Sequence, residues 1–236
     1  MSLICFPYGG GAASVFRSWA PRVPDSVRLV GVALPGRDRR FREPASRDLA
    51  ATVEAISSAL TQSIDGSYAL FGHSLGALMA FLVARELRSR RHRDPVCLFV
   101  SGAEAPHVVV ERPQLHDLPT AEFVGELARL NGTPREVLAD DELMELMLPT
   151  LRADFFLSET YVHQPDEPLG CPIVAFGGWQ DPEVDPGDVQ LWSEHTSAGF
   201  IRVMFTGDHF FVIDHEAQVV DKVLSELGRL KAAVGQ

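Results

Sequence analysis

An α/β fold with a mostly parallel central sheet flanked by helices is what this 236-residue sequence predicts, and three observations predict it. Short β-rich apolar runs alternate with helical patterns along the whole chain. The runs are near-continuously apolar, as strands covered on both faces are. No internal repeat or low-complexity linker interrupts the alternation. The length suits one domain with an elaboration, so residues 1–236 are read as a single unit.

The elements follow in order. "LICFPY" (3–8) is the first strand, and a helical pattern at 13–20 leads to the second, "VRLVGVAL" (27–34). "RDLAATVEAISSALTQSI" (47–64) is a helix; "SYALFG" (67–72) is a strand running directly into the apolar helix at 75–90; "VCLFVSGA" (96–103) is the fourth strand. After it the alternation breaks. An insertion at approximately 107–168 holds helical patterns and no convincing strand: "TAEFVGELARL" (120–130), with Thr120 as its N-cap, and "DDELMELMLPTLRADFFLSETYVHQ" (140–164), with a kink expected at Pro149. The sheet resumes at "PIVAFGG" (172–178), crosses the helical pattern 186–196, and ends with "FIRVMFTG" (200–207) before a last helix beyond His209. The insertion is read as a helical lid over the strand ends. Its stripe of Met144, Met147, Leu151 and Phe155 is either lid core or pocket lining.

Composition narrows the function. A formal net charge of -11 disfavours nucleic acid, whose phosphates it would repel. No apolar run reaches the roughly 18–20 residues of a membrane span, and no secretion signal opens the chain, so the expected setting is cytoplasmic with no membrane partner. Cys5, Cys97 and Cys171 are odd in number and lie in apolar runs, which argues for reduced core thiols. Arg85, Arg88, Arg90, Arg91 and Arg93 crowd a helix C-terminus, where cations complement the macrodipole.

The chemistry concentrates at "GHSLG" (72–76), a G-x-S-x-G pattern between an apolar strand and an apolar helix. In that context Ser74 is read as a nucleophile on a sharp elbow, with the Leu75 N–H and the helix N-terminus aimed at any anion formed there. The rival is a plain strand-to-helix turn with a passive serine. A serine hydroxyl needs a base, and the base an orienting acid. Loops after the last two strands carry Asp181 in "FGGWQDPEVDP" and His209 in "FTGDHFFVIDH", giving the chain order Ser, Asp, His of α/β-hydrolases. Asp181 is assigned as the acid, with Asp185 the main alternative, and His209 as the base. Asp208 adjoins the base, but successive side chains point apart on an extended strand end; His215 and Asp214 are explained by the last helix. "DHFFVIDH" matches no tight metal-ligand spacing, and no metal is expected.

A second backbone donor would complete an oxyanion hole. "CFPYGGGAAS" follows the first strand, lacks the Gly-Lys-Ser/Thr of a phosphate loop, and offers Gly9 as the donor, with Tyr8 as a pocket wall. The nearby loop "PGRDRRFREP" carries Arg37, Arg39, Arg40 and Arg42, which fit either a docking patch or a loop held by Arg–Glu contacts.

Together "CFPYGGGAAS", "LPGRDRRFREP", "FGHSLGA", "LPTLRADFFLSETY", "FGGWQDPEV" and "GDHFF" resemble, in order and approximate spacing over almost the whole chain, the type II thioesterases that accompany polyketide and nonribosomal peptide synthases. The resemblance implies an α/β-hydrolase with a helical lid, acting on acyl thioesters carried on the phosphopantetheine arm of acyl or peptidyl carrier proteins and needing no cofactor of its own. It also implies Ser74, Asp181 and His209 as catalytic residues and Gly9 and Leu75 as oxyanion donors; separately, an acidic carrier meeting a chain of net charge -11 would need a local basic patch, for which Arg37, Arg39 and Arg40 are candidates. Two departures stand out: the chain begins almost inside its first strand, and Asp208 occupies a position where glycine is common. A small-molecule carboxylesterase and a non-catalytic binding module are the competing readings.

Overall fold

Six strands form the sheet in the computed structural model, which describes residues 1–110 and 112–234: β1 (Ser2–Phe6), β2 (Arg28–Gly31), β3 (Tyr68–His73), β4 (Leu98–Ser101), β5 (Ile173–Gly178) and β6 (Phe200–Phe205). Their order is β2-β1-β3-β4-β5-β6, and every pairing is parallel. The chain moves outward from β1 to the edge, then returns across β1 to β3 and proceeds the other way. This reversal creates a switch point between β1 and β3, outside whose carboxyl ends a crevice forms.

The two-residue repeat of the pleat divides each strand between two cores. Ile4, Phe6, Leu70, Leu98, Val100, Ile173 and Ala175 face one core, whereas Leu3, Cys5, Phe71, Phe99, Val174 and Phe176 face the other. Helices α1 (Leu49–Ser63) and α2 (Leu75–Ser89) cover the first face. The second is covered by α7 (Glu216–Val234), through Val219, Val220, Val223 and Leu227, and by a segment carrying Phe16 and Trp19. The one-turn helix α6 (Phe211–Asp214) precedes α7.

Two expected helices are 3₁₀ rather than α: Ala13–Trp19 and Asp188–His195. The cause is visible in their apolar spacing. Phe16 and Trp19, and likewise Val189, Trp192 and His195, are buried at intervals of three, the period of a 3₁₀ turn.

The insertion between β4 and β5 contains α3 (Thr120–Leu130), the single turn α4 (Arg135–Leu138) and α5 (Asp141–Glu159). Pro119, not Thr120, caps α3, and Thr120 is its first helical residue. Helix α5 continues through Pro149 as one element; Pro149 and Glu145 are exposed, so water can satisfy the Glu145 carbonyl left without its donor. Met144 and Leu151 are buried with Phe123 and Leu127, and Met147 and Phe155 pack against them. Of the two readings of this stripe, lid core or pocket lining, the packing matches lid core, with Leu151 also set against Gly10. The arginines at the end of α2 also have a structural use: Arg85 and Arg88 both bind Asp166, at 3.0 and 2.5 Å, and donate to carbonyls of Gln164, Glu167 and Pro168. They tie down the chain as it returns to β5.

Cys5, Cys97 and Cys171 are free and buried, and burial pushes all three thiols up, that of Cys171 to about 12. Among the described residues no helix is long and apolar enough to cross a membrane.

Close packing of α2 on the sheet depends on two glycines. A Cβ at Gly72 would overlap the Gly76 carbonyl, and one at Gly76 would overlap the Phe6 carbonyl at the end of β1. Because both obstructions are backbone, neither can swing aside. Gly76→Ala is expected to lower unfolding free energy by about 1–3 kcal/mol, measured by chemical denaturation.

Candidate active site

All strands being parallel, the loops after β1, β3, β5 and β6 emerge at one edge of the sheet, and they carry Gly9, Ser74, Asp181 and His209. Ser74 links β3 to α2 with φ 55° and ψ -122°, a conformation that L residues rarely adopt. Its N–H donates to the Ser101 carbonyl at 2.8 Å, which anchors the elbow to β4. The side chain is half-buried, and its hydroxyl has no hydrogen-bond partner among the described residues. A contact between Ser74 Oγ and His209 is thus not made here; such bonds often tighten only when substrate arrives.

Asp181 and His209 meet directly. His209 Nδ1 lies 2.9 Å from Asp181 Oδ2 and 3.1 Å from Oδ1. The Asp181 side chain is fully buried, and its Oδ1 also accepts from the Glu183 and Val184 N–H groups at 2.8 and 3.2 Å. A carboxylate can only accept from Nδ1, so Nδ1 carries a proton, and in the neutral ring Nε2 is the nitrogen with the lone pair. Gln180 laces the two loops together: its N–H donates to the Gly207 carbonyl at 3.0 Å, and its Oε1 accepts from the Gly207 N–H at 2.6 Å.

The rivals are placed elsewhere. Asp185 Oδ1 accepts from the Gly187 N–H, 2.6 Å, inside its own turn. Asp208 Oδ1 accepts from the Phe210 N–H at 2.9 Å, so it shapes the turn that carries His209 rather than orienting the imidazole. His215 Nε2 donates to the Thr206 carbonyl at 2.7 Å.

His73 lies beneath the elbow, its ring centroid 5.1 Å from that of His209. It is 1% exposed, and burial, with the proximity of His209, pushes its pKa well below the usual range. It therefore stays neutral and adds no positive charge beside His209. Tyr8 packs edge-on against His73 and Phe210 and, with Phe16, Trp19, Phe71 and Val212, walls a cavity of about 230 Å³.

The glycine loop is held from outside. Gly11 N–H donates to the Tyr8 carbonyl at 2.9 Å, closing a turn in which Gly10 has φ 77°. Gly10 N–H donates to Asp154 Oδ2 at 2.7 Å. The N–H groups of Gly9 and Leu75 have no partner among the described residues. A Cβ at Gly9 would meet Asp154 Cβ at an ordinary 3.6 Å, so its free N–H, not its lack of a side chain, is what this position offers.

No sequence signal marks Asp154, and for Arg37, open between docking and a structural role in its loop, the structure shows the structural use, with an Asp rather than a Glu as partner. Arg37 is 7% exposed and forms a bidentate pair with Asp154, both N–O distances being 2.7 Å. That burial removes it from any docking surface. Arg40 binds Glu43 through both arms of its guanidinium and donates to the Ala33 carbonyl, so it holds the loop together. Arg39 and Arg42 remain exposed and form no ion pair among the described residues.

Residues 1–227 match the family described as Thioesterase domain. The chain is 39% identical over 227 residues to the gramicidin S biosynthesis protein GrsT of Aneurinibacillus migulanus, covering 96% of this chain and 89% of that one. Among solved structures, ClbQ from the colibactin NRPS/PKS pathway superposes with a TM-score of 0.94 at 34% identity, covering 98% of both chains. The type II thioesterase BorB from the borrelidin biosynthetic cluster gives 0.89 at 34%, covering 96% of this chain and 92% of that one. With a match spanning nearly its whole length and relatives of this kind, the chain belongs to the thioesterase family, among the type II thioesterases of α/β-hydrolase fold.

Proposed function

We propose that this protein is an editing thioesterase that hydrolyses acyl groups from the phosphopantetheine arm of acyl or peptidyl carrier proteins, with Ser74 as nucleophile, His209 as base and Asp181 as its orienting acid. The observation that carries the reading is the pairing of a strained Ser74 elbow with an Asp181-oriented His209 on one sheet edge.

His209 Nε2 takes the Ser74 proton as Oγ attacks the thioester carbonyl. The N–H groups of Gly9 and Leu75, which have no other partner, stabilise the resulting oxyanion. Collapse expels the pantetheine thiol, which receives the proton from His209, and leaves an acyl-serine. Water activated by His209 then releases the carboxylic acid and restores Ser74. Since a thiol is a good leaving group, deacylation is the slower half. The aromatic cavity behind Tyr8 suits an apolar acyl chain, and the helical insertion acts as a lid over this edge.

The test compares kcat/KM for one acyl group on a carrier protein, on free pantetheine and as a p-nitrophenyl ester. The carrier-bound substrate should be preferred. Equal or better turnover of the oxygen ester would favour a carboxylesterase, and no turnover of any would favour a binding module.

Carrier domains are acidic, and this chain is acidic too, so docking calls for a local basic patch. Arg39 and Arg42 are the exposed members of the loop after β2. Replacing both by Glu should raise KM for the carrier-bound substrate about threefold to tenfold and leave KM for acyl-pantetheine unchanged. Equal changes in both would remove docking as their role.

A further inference from the structure

The buried Arg37–Asp154 pair lies outside the groups assigned to the reaction, yet it touches the glycine loop twice. Asp154 Oδ2 accepts from the Gly10 N–H at 2.7 Å, and Arg37 Nη1 donates to the Gly11 carbonyl at 3.0 Å. The loop's own turn, from Gly11 N–H to the Tyr8 carbonyl, leaves the Gly10 peptide otherwise unsupported. Leu151 completes the fixture from the same helix as Asp154: a Cβ at Gly10 would lie 2.5 Å from its Cδ2.

Burying two ions is costly, and an apolar pair of similar volume often stabilises a fold as well or better. What an apolar pair cannot supply is a charged acceptor on the Gly10 N–H, locked in plane by a guanidinium fork. We infer that Asp154 and Arg37 are positioning residues that fix the Gly10 peptide so that the neighbouring Gly9 N–H faces the oxyanion formed at Ser74. Neither residue touches the substrate. Because Asp154 belongs to α5, the insertion then helps build the catalytic apparatus as well as covering it. This inference rests on the proposed use of Ser74 and Gly9.

The test uses two double variants in which no buried charge is left unpaired. R37M/D154N keeps an oxygen that can accept from Gly10, and R37M/D154L does not. Two probes separate the stages of the reaction: an alkyl trifluoromethyl ketone, which forms a tetrahedral adduct with a serine nucleophile, and the matching non-hydrolysable acyl-pantetheine thioether. R37M/D154L should lose about ten- to hundredfold in kcat and in ketone affinity, while its thioether affinity stays within about twofold of wild type. R37M/D154N should recover part of that loss, the share owed to the acceptor on the Gly10 N–H rather than to the guanidinium fork. Equal ketone affinity in the two variants, or parallel loss of ketone and thioether binding, would overturn the inference. Should circular dichroism show that neither double variant folds, R37K decides: it keeps the charge but loses the planar fork, and wild-type ketone affinity would overturn the inference. Failure of the wild-type enzyme to form a ketone adduct at Ser74 is a separate outcome, which would overturn the proposed function beneath it.

Discussion

Ser74→Ala is expected to lower acyl-thioester turnover by about a thousandfold or more while leaving the unfolding free energy within about 0.5 kcal/mol of wild type. The two halves follow from one geometry. On the proposed mechanism, removal of Oγ takes away the nucleophile, and what the proposed oxyanion donors and binding still contribute cannot replace covalent catalysis. The hydroxyl has no hydrogen-bond partner among the described residues, so its loss orphans nothing. Ser74→Gly should be equally inactive but more stable by roughly 1 kcal/mol, since glycine accepts φ 55° without strain. Denaturant titration and single-turnover kinetics on the same samples measure both effects, and near-wild-type turnover in the alanine variant would remove the assignment. A stabler, inactive glycine variant would show that the elbow is strained for function.

Asp154→Ala is expected to have the largest effect on stability, about 3–5 kcal/mol, because it leaves Arg37 charged, 7% exposed and without its partner. For a chain of this length that lowers the melting temperature by roughly 6–20 °C. The contrast is Glu43→Ala. The Arg40–Glu43 pair is also short, but its side chains are 41% and 49% exposed, and its loss should cost less than about 1 kcal/mol. Thermal unfolding of the two variants side by side provides the measurement; similar losses would mean that burial does not set the strength of these pairs.

How far the sequence could be read depended on whether a signal was local. Continuous apolar runs such as "PIVAFGG" marked each strand, because residues facing both cores are apolar. "GHSLG" marked the elbow because two glycines must flank a serine where strand and helix backbones nearly touch. The loop positions of Asp181 and His209 followed from strand order alone, and the structure brings their side chains together. Arg37 and Asp154 were illegible for the opposite reason. They lie 117 residues apart, one in an arginine-rich loop that looks solvated and the other on a helix whose apolar stripe drew attention to its neighbours. Nothing near either residue announces a partner. The stripe left two readings open in a related way: a hydrophobic face reveals burial, not what it is buried against, and Met144, Met147, Leu151 and Phe155 pack within the insertion, with Leu151 also against Gly10. The period of three in Val189, Trp192 and His195 separates a 3₁₀ from an α-helical pattern only once their burial is known.

Every turnover of a thioesterase sets free a thiol in its own active site, and the enzyme carries three thiols itself. Thiolates exchange with thioesters and disulfides; protonated thiols in apolar surroundings do not. Cys5 and Cys97 lie in the core on one face of the sheet and Cys171 in the core on the other, all with their ionisation suppressed by burial. Buried and protonated, they are withheld from thiol–thioester exchange with the acyl group. The same burial that fills the core therefore keeps these three thiols away from the acyl chain.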